Sequence, residues 1–216
     1  MPVLTVPAYI LCKLEQIYNF RIIISSGMHT LKRTLYLASK SPRRNDLLSR
    51  FGFPFERLEA DVSEDTPKMT PAAKVKLLAK RKAIASSVKI KKGLVLGFDT
   101  IVNYNDKILE KPTSHSEAFR MLKFLSGRTH IVYTGIALLA KPENNVKVHA
   151  AATKVTFRKL SDKEIKSYIE SGEPMDKAGA YGIQGAGGSF VEKVNGCFFN
   201  VVGLPVKPLM DFLSPF

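Results

Sequence analysis

Two hydroxyl groups and two guanidinium groups lie close together in the segment Ser39-Lys40-Ser41-Pro42-Arg43-Arg44. Ser41 is a favoured N-cap residue and Pro42 suits the first helical position, so the pattern predicts a helix over residues 43–51. A helix N-terminus is partly positive, which disfavours Arg43 and Arg44 by about 0.3–1 kcal/mol each unless an anion lies against them. Free backbone N–H groups, hydroxyls and arginines together therefore predict a phosphate site. The alternative is that both arginines point into solvent and Ser41 only caps the helix.

Three carboxylates follow in the short loop Asp61-Val62-Ser63-Glu64-Asp65. Carboxylate oxygens are the ligands that hard cations prefer, so the loop is a candidate metal site, and a solvated loop is the alternative. A second charged candidate is Lys82, which falls on the apolar stripe of the next predicted helix, four residues after Leu78. Most such lysines extend to the protein surface, and a minority face a buried charge.

Asp99 follows the continuous apolar run of residues 94–98, which predicts a buried strand. A carboxylate at the carboxyl end of such a strand is where α/β proteins place their chemistry. Capping of the next turn is the other interpretation of Asp99.

The elements that must position these residues alternate between helical and strand patterns along the chain. Helices are predicted over residues 70–88, 116–125, 161–171 and after Pro205, and strands over 53–58, 94–98, 101–104, 129–140 and 146–157. Asn195-Gly196 is a hairpin signal, so residues 190–194 and 198–202 are predicted to pair as two strands. The glycine-dense segment 179–188 lacks a Walker lysine, and its glycines favour close approach of the backbone to a flat ligand, with Gln184 offering a donor and an acceptor.

Composition narrows the class of protein further. The 216 residues are 45% hydrophobic and carry a formal charge of +14, which suits one ordinary domain and a polyanionic partner. The positive charge is spread along the chain and there is no Trp, which disfavours a nucleic-acid platform. Cys12 and Cys197 match no metal or redox spacing, and no apolar run reaches the roughly 18 residues of a bilayer span, so we expect a soluble, cytoplasmic protein.

Five motifs occur together in one order, and they are Ser39-x-Ser41-Pro42-Arg43-Arg44, Gly97-x-Asp99-Thr100, Glu110-Lys111-Pro112, Leu125-Ser126-Gly127-x-Thr129-His130 and Asp176-Lys177-Ala178-Gly179-x-Tyr181-Gly182-Ile183-Gln184-Gly185. In order and spacing this set resembles the Maf family of nucleoside triphosphate pyrophosphatases. The resemblance covers about residue 34 to the C-terminus, and the last motif is similar to the branch that acts on dTTP and UTP rather than on 7-methyl-GTP.

The resemblance implies a role for each matching position. The proton acceptor of the family falls on Asp99. The substrate-specificity positions fall on Arg43, Thr100 and Gln184, and the phosphate and metal positions fall on Ser39, Arg44, Glu64, Lys82 and Lys111. We expect Ser39, Arg44, Lys82 and Lys111 to bind phosphate, and Glu64 with Asp99 to hold a divalent cation, Mg²⁺ or Mn²⁺. Asp99 would act as base or chiefly as metal ligand, and both roles stay open at this point.

The implied fold is α/β, with an elongated mixed β-sheet flanked by helices and two lobes around a central cleft. Residues 34–216 would form a single domain, preceded by an N-terminal extension, residues 1–33, in which Met28 could serve as a start. Family members are often homodimers, so a homodimer is expected, with a nucleoside triphosphate as substrate and neither nucleic acid nor membrane as partner. The rival classes are a basic nucleic-acid-binding module and a septum-related regulatory protein without hydrolysis.

Overall fold

The computed structural model describes residues 31–59 and 61–216. The predictions for Met28, Cys12 and most of the N-terminal extension lie outside the described residues. The strands are β1 (Leu35–Ala38), β2 (Glu56–Arg57), β3 (Gly93–Tyr104), β4 (Lys107–Leu109), β5 (Thr129–Lys141), β6 (Asn145–Phe157) and β7 (Val191–Asn195). The helices are α1 (Pro42–Arg50), α2 (Pro71–Ser87), α3 (His115–Leu125), α4 (Asp162–Glu170), α5 (Phe198–Val202) and α6 (Val206–Leu213), with short 3-10 turns at Glu173–Asp176, Ala178–Ala180 and Ala186–Phe190.

The described strands form one mixed sheet in the order β2-β1-β3-β5-β6-β7, with β4 paired to β3. β1 runs parallel to β2 and to β3, whereas the β3–β4 and β6–β7 pairs are antiparallel. The mixed sheet with flanking helices confirms the predicted α/β class. None of the helices in the described part of the chain is long and apolar enough to cross a membrane.

The chain divides into two compact units, which we call the N-terminal unit and the central unit. Among the described residues, the N-terminal unit comprises 31–100, Tyr133–Ala152 and Phe199–Phe216, and the central unit comprises Ile101–Val132 and Thr153–Phe198. The long strands β3, β5 and β6 have residues in both units. Residues 34–216, which the sequence predicts as one domain, are therefore divided between the two compact units.

One buried cluster in the N-terminal unit is rich in small residues. It contains Ala38, Ala79, Ala83, Val95, Ala137 and Leu139. Gly97 in β3 lies against α2, where an added Cβ would overlap the Ala79 carbonyl oxygen, and Gly135 in β5 lies against Val75 of the same helix. A helix can approach a sheet this closely only when the facing residues lack bulk, so the two glycines set how near α2 lies to the strands.

A cluster of aromatic rings lies in the core of the central unit. The His130, Phe157, Tyr181, Phe190 and Tyr168 rings pack edge to face, with centroids 4.7–6.0 Å apart. Such edge contacts stabilise beyond the area that they bury. His130 belongs to the fourth sequence motif, and its Nε2 lies 2.8 Å from the Tyr181 hydroxyl oxygen.

Three sequence predictions of local structure need correction. Asp99 does not follow the end of a strand, because β3 continues without interruption from Gly93 to Tyr104. Residues 53–58 contain only the two-residue strand β2. Residues Phe198–Val202 form the helix α5 rather than a hairpin strand, and Thr153 Oγ1 holds the preceding Cys197 by accepting from its N–H and donating to its carbonyl. A short apolar run carries no periodicity that separates a strand from a buried helix.

Candidate active site

The N-terminus of α1 forms as the sequence predicts. The Ser41 side chain accepts a hydrogen bond from the Arg44 backbone N–H, and Pro42 occupies the first helical turn. Arg43 and Arg44 therefore both lie in the first turn, where Arg43 is half-buried. β1 ends with Ala38 opposite Gly97 of β3, so this helix begins beside the part of β3 that carries Asp99.

The Arg44 guanidinium is fixed in place by three hydrogen bonds. Nε donates to the Gly203 carbonyl at 2.9 Å, Nη1 to Ser39 Oγ at 3.1 Å and Nη2 to Thr100 Oγ1 at 2.8 Å. Burial lowers the pKa of Arg44 to about 10, against the attraction of Asp99, so the group stays charged at neutral pH. A cation that is already oriented loses little side-chain entropy when an anion binds.

The Thr100 hydroxyl links Arg44 to a chain of hydrogen bonds. Thr134 Oγ1 donates its one hydrogen to the Asn200 carbonyl at 2.9 Å, so in its 3.0 Å contact with Thr100 it must accept. Thr100 therefore donates to Thr134 and accepts from Arg44. The predicted specificity position Thr100 thus contacts the predicted phosphate position Arg44.

Ser39 is buried and accepts two hydrogen bonds. Its Oγ takes the Ser41 N–H at 3.2 Å and Arg44 Nη1 at 3.1 Å. Neither bond uses the hydroxyl hydrogen of Ser39, which leaves it able to donate to an oxyanion.

Lys82 bridges two carboxylates. Its Nζ lies 2.7 Å from Asp99 Oδ1 and 2.8 Å from Glu64 Oε1. The Asp99 side chain is 9% exposed and that of Glu64 is 67% exposed, so the bridge extends from the buried interior to the surface. Of the two interpretations of Lys82, the one in which it faces a charge is confirmed.

Burial controls the protonation of Asp99. It raises the pKa of the Asp99 carboxyl, whereas Lys82 and Arg44 oppose the shift and Glu64 adds to it. A carboxyl whose pKa is moved upward by its surroundings is better matched to accept a proton than an exposed one.

The three carboxylates of the acidic loop, residues 61–65, each have a different partner. Asp61 pairs with Lys40 at 2.5 Å, Glu64 reaches Lys82, and Asp65 accepts from Ser63 Oγ at 3.0 Å. Within the described residues no group of three or more His, Cys, Asp or Glu side chains could hold a metal ion. The three loop carboxylates therefore do not converge on a single site.

Two carboxylates nevertheless fit a divalent cation. Glu64 Oε1 and Asp99 Oδ1 already lie within 2.8 Å of a single positively charged nitrogen, so their oxygens converge on one point of positive charge. Mg²⁺ is commonly bound by one or two carboxylates, with substrate phosphates and water completing its shell. This donor set suits that mode of binding.

Arg81 holds the loop that carries Glu64, and the sequence analysis missed it. Its Nη1 donates to the Ser63 carbonyl at 3.3 Å and to the Asp65 carbonyl at 2.6 Å, which are the residues on either side of Glu64. Thr134 was also missed. No local pattern marks either residue, because both act through contacts distant in sequence.

The remaining predicted site residues, Lys111 and Gln184, belong to the central unit. Lys111 is exposed and follows β4, where the neighbouring Glu110 carbonyl accepts from the Gly179 N–H at 3.1 Å. Gln184 is exposed in a turn in which the Gly185 N–H donates to the Gly182 carbonyl at 3.2 Å. Lys111 belongs to the Glu110-Lys111-Pro112 motif, and Gln184 belongs to the motif of residues 176–185.

Comparison with known proteins agrees with the motif pattern. A dTTP/UTP pyrophosphatase of Carboxydothermus hydrogenoformans is 50% identical over 81% of this chain and 94% of its own length. Proteins of the same description from Caldanaerobacter subterraneus and Moorella thermoacetica are 49% and 48% identical over 83% and 84% of this chain, and 87% and 94% of their own lengths. The family model described as Maf-like protein matches residues 34–216, and the chain therefore belongs to the Maf-like protein family.

Proposed function

We propose that the protein is a nucleoside triphosphate pyrophosphatase that hydrolyses dTTP and UTP to the nucleoside monophosphate and pyrophosphate. The observation that carries the proposal is the bridge of Lys82 between Asp99 and Glu64, next to an oriented Arg44 at a helix N-terminus. The high identity to relatives named dTTP/UTP pyrophosphatase supports the choice of substrate.

The phosphate groups would be held by fixed positive charge. Three of the five N–H donors of the Arg44 guanidinium hold it in place, so the others can reach a phosphate oxygen without rearrangement. Lys82 has three N–H donors, of which two reach carboxylates, so the third can reach a phosphate oxygen. Ser39 and Lys111 are the further phosphate positions in the proposal.

Asp99 would orient a water molecule and take its proton as the water oxygen attacks the α-phosphorus. The bond from the α-phosphorus to the oxygen that bridges it to the β-phosphate breaks, and pyrophosphate leaves with that oxygen. A divalent cation such as Mg²⁺ or Mn²⁺ held by Glu64 and Asp99 would supply charge neutralisation on the triphosphate. The raised pKa of Asp99 supports its role as proton acceptor.

Base recognition is proposed for Gln184, together with Arg43 and Thr100. An exposed amide offers both a donor and an acceptor to a pyrimidine edge. A site built on hydrogen bonds rejects the wrong base because its own polar groups are then left unpaired.

The test is to incubate the full chain with Mg²⁺ and a panel of dTTP, UTP, dCTP, dATP, GTP and 7-methyl-GTP, and to quantify pyrophosphate and orthophosphate separately. We expect pyrophosphate and monophosphate, with dTTP and UTP preferred. Release of orthophosphate would contradict attack at the α-phosphorus. Binding of polynucleotide that weakens steeply with salt, without hydrolysis of any nucleotide, would favour the nucleic-acid alternative.

A further inference from the structure

The turn that carries Gln184 is anchored on both sides by side chains for which neither the motifs nor the relatives suggest a role. Gly182 and Gly185 close the turn through the 3.2 Å hydrogen bond described above. On the N-terminal side, the Gly182 N–H donates to the Tyr168 hydroxyl at 3.0 Å. On the C-terminal side, the Ala186 N–H donates to Glu173 Oε2 at 3.0 Å and the Gly187 N–H to Glu173 Oε1 at 3.4 Å.

Tyr168 and Glu173 form one connected anchor. The Tyr168 hydroxyl accepts from Gly182 and donates to Glu173 Oε1 at 2.9 Å, so both of its hydrogen-bonding roles are used. Burial raises the pKa of Tyr168, which keeps the phenol protonated and able to donate at all physiological pH values. The Glu173 carboxylate thus accepts three hydrogen bonds, from Tyr168, Ala186 and Gly187.

The fit around the anchor is close. A Cβ on Gly185 would overlap the Glu173 carboxylate, and a Cβ on Gly182 would lie 2.8 Å from Glu173 Oε1 and 2.5 Å from the Lys177 Cε. The two glycines of the motif therefore let the turn lie directly on the anchor. Gln184 itself stays exposed between them, so a flexible polar side chain is displayed from a fixed backbone.

We propose that Glu173, with Tyr168, is a positioning residue for substrate specificity, which fixes the backbone of Gln184 so that its amide can discriminate between bases. The inference rests on the proposed function of Gln184 and assigns no contact with substrate to Glu173. A recognition amide on a mobile turn would lose discrimination, because a displacement of the order of 1 Å already breaks a hydrogen bond.

The decisive variant is Glu173→Gln, which keeps the size of the side chain. One amide oxygen cannot replace two carboxylate oxygens that together accept three hydrogen bonds, so an amide NH₂ must face a donor. Glu170→Gln is the matched control, since Glu170 is exposed at the end of α4, the helix that carries Tyr168, and its side chain makes no hydrogen bond within the described residues. Tyr168→Phe tests the other half of the anchor.

The test is to measure kcat/KM for dTTP and for dCTP in wild type, in E173Q, Q184A and the double variant, and in the control E170Q. We expect the dTTP to dCTP ratio to fall about tenfold or more in E173Q and in Q184A, and to fall no further in the double variant. E170Q should keep the wild-type ratio. A purely structural role would instead lower kcat/KM for both nucleotides equally, and that outcome overturns the proposal.

Hydrogen exchange supplies a readout that is independent of activity. The Gly182, Ala186 and Gly187 amides should exchange faster in E173Q and Y168F than in wild type, while the α3 amides keep their protection. Unchanged exchange overturns the anchor even where the discrimination ratio changes. If wild type hydrolyses no nucleoside triphosphate, the proposed function fails, and the exchange result still decides whether the anchor exists. If Q184A alone leaves the ratio unchanged, the specificity role of Gln184 and this inference fail together, whereas hydrolysis stands.

Discussion

Lys82 Nζ lies 2.7 Å from Asp99 Oδ1, which joins the fourth turn of α2 to the middle of β3. The contact depends on Gly97, since any side chain there would push away the helix segment that contains Ala79 and Ala83. The glycine of the Gly97-x-Asp99 motif is therefore required for the close packing of α2 on β3. It lets α2 lie close enough to β3 for the partly exposed Lys82 ammonium to reach the buried Asp99 carboxylate.

Replacing Asp99 with Asn should separate activity from stability. We expect pyrophosphate release from dTTP to fall by about 10²–10⁴-fold, because the amide cannot accept the proton of water. The fold should survive with an equal or higher melting temperature, since burial raises the pKa of Asp99 and thus disfavours its charged form. Asp106→Asn is the control, because Asp106 is exposed in the β3–β4 turn at φ 60°, which Asn also adopts. Near-normal turnover in D99N would remove Asp99 from the mechanism.

Replacing Lys82 with Met should leave Asp99 without its closest cation. Because the Lys82 side chain is 20% exposed and that of Asp99 9%, we expect a loss of about 2–4 kcal/mol in the free energy of unfolding. Mg²⁺ should raise the melting temperature of K82M more than that of wild type, since the ammonium no longer competes for the two carboxylates. Thermal unfolding with and without Mg²⁺ tests this, with Lys76→Met, an exposed lysine of the same helix, as control. An equal Mg²⁺ effect in both proteins would argue against the proposed cation site.

The sequence predicted those parts of the candidate site that depend on residues close together in the chain. The Ser41 cap, the Pro42 start and the α2 stripe that contains Lys82 were each readable, because caps and helical periodicity are encoded within a few residues. The course of β3 through Asp99 was not, since the apolar run stops at a charge whose partner Lys82 lies 17 residues away. The sequence did not indicate Arg81 and Glu173, because both acceptors of Arg81 and two of the three donors to Glu173 are backbone groups, whose positions no residue type reveals.

Replacing Arg81 with Met should loosen the loop that carries Glu64. Its two hydrogen bonds, to the Ser63 and Asp65 carbonyls, enclose that residue, so without them Glu64 samples more positions. We expect the Mg²⁺ concentration for half-maximal activity to rise about tenfold, as is typical when a group that orients a metal ligand is lost. Stability should change by about 1 kcal/mol or less, because the contacts are exposed.

A titration with Mg²⁺ at saturating dTTP measures the Mg²⁺ concentration for half-maximal activity of R81M. Lys80→Met, the exposed neighbour, should match wild type, and an unchanged Mg²⁺ requirement in R81M would show that the loop holds Glu64 by itself.

Replacing His130 with Gln should flatten the dependence of stability on pH. Burial lowers the pKa of His130 to about 3, whereas the unfolded chain has the ordinary value of about 6.5. Between these values the unfolded state binds more protons than the folded state, so His130 makes stability fall as pH falls, by at most about 1.4 kcal/mol per pH unit. Gln can keep a hydrogen bond to the Tyr181 hydroxyl but does not titrate. Urea unfolding at pH 7, 6 and 5 should therefore give a smaller slope for H130Q than for wild type, while His149→Gln, at an exposed position, keeps the wild-type slope. Equal slopes for H130Q and wild type would contradict the prediction. They would mean that His130 binds a proton as readily in the folded state as in the unfolded chain, despite its burial in the aromatic cluster of the central unit.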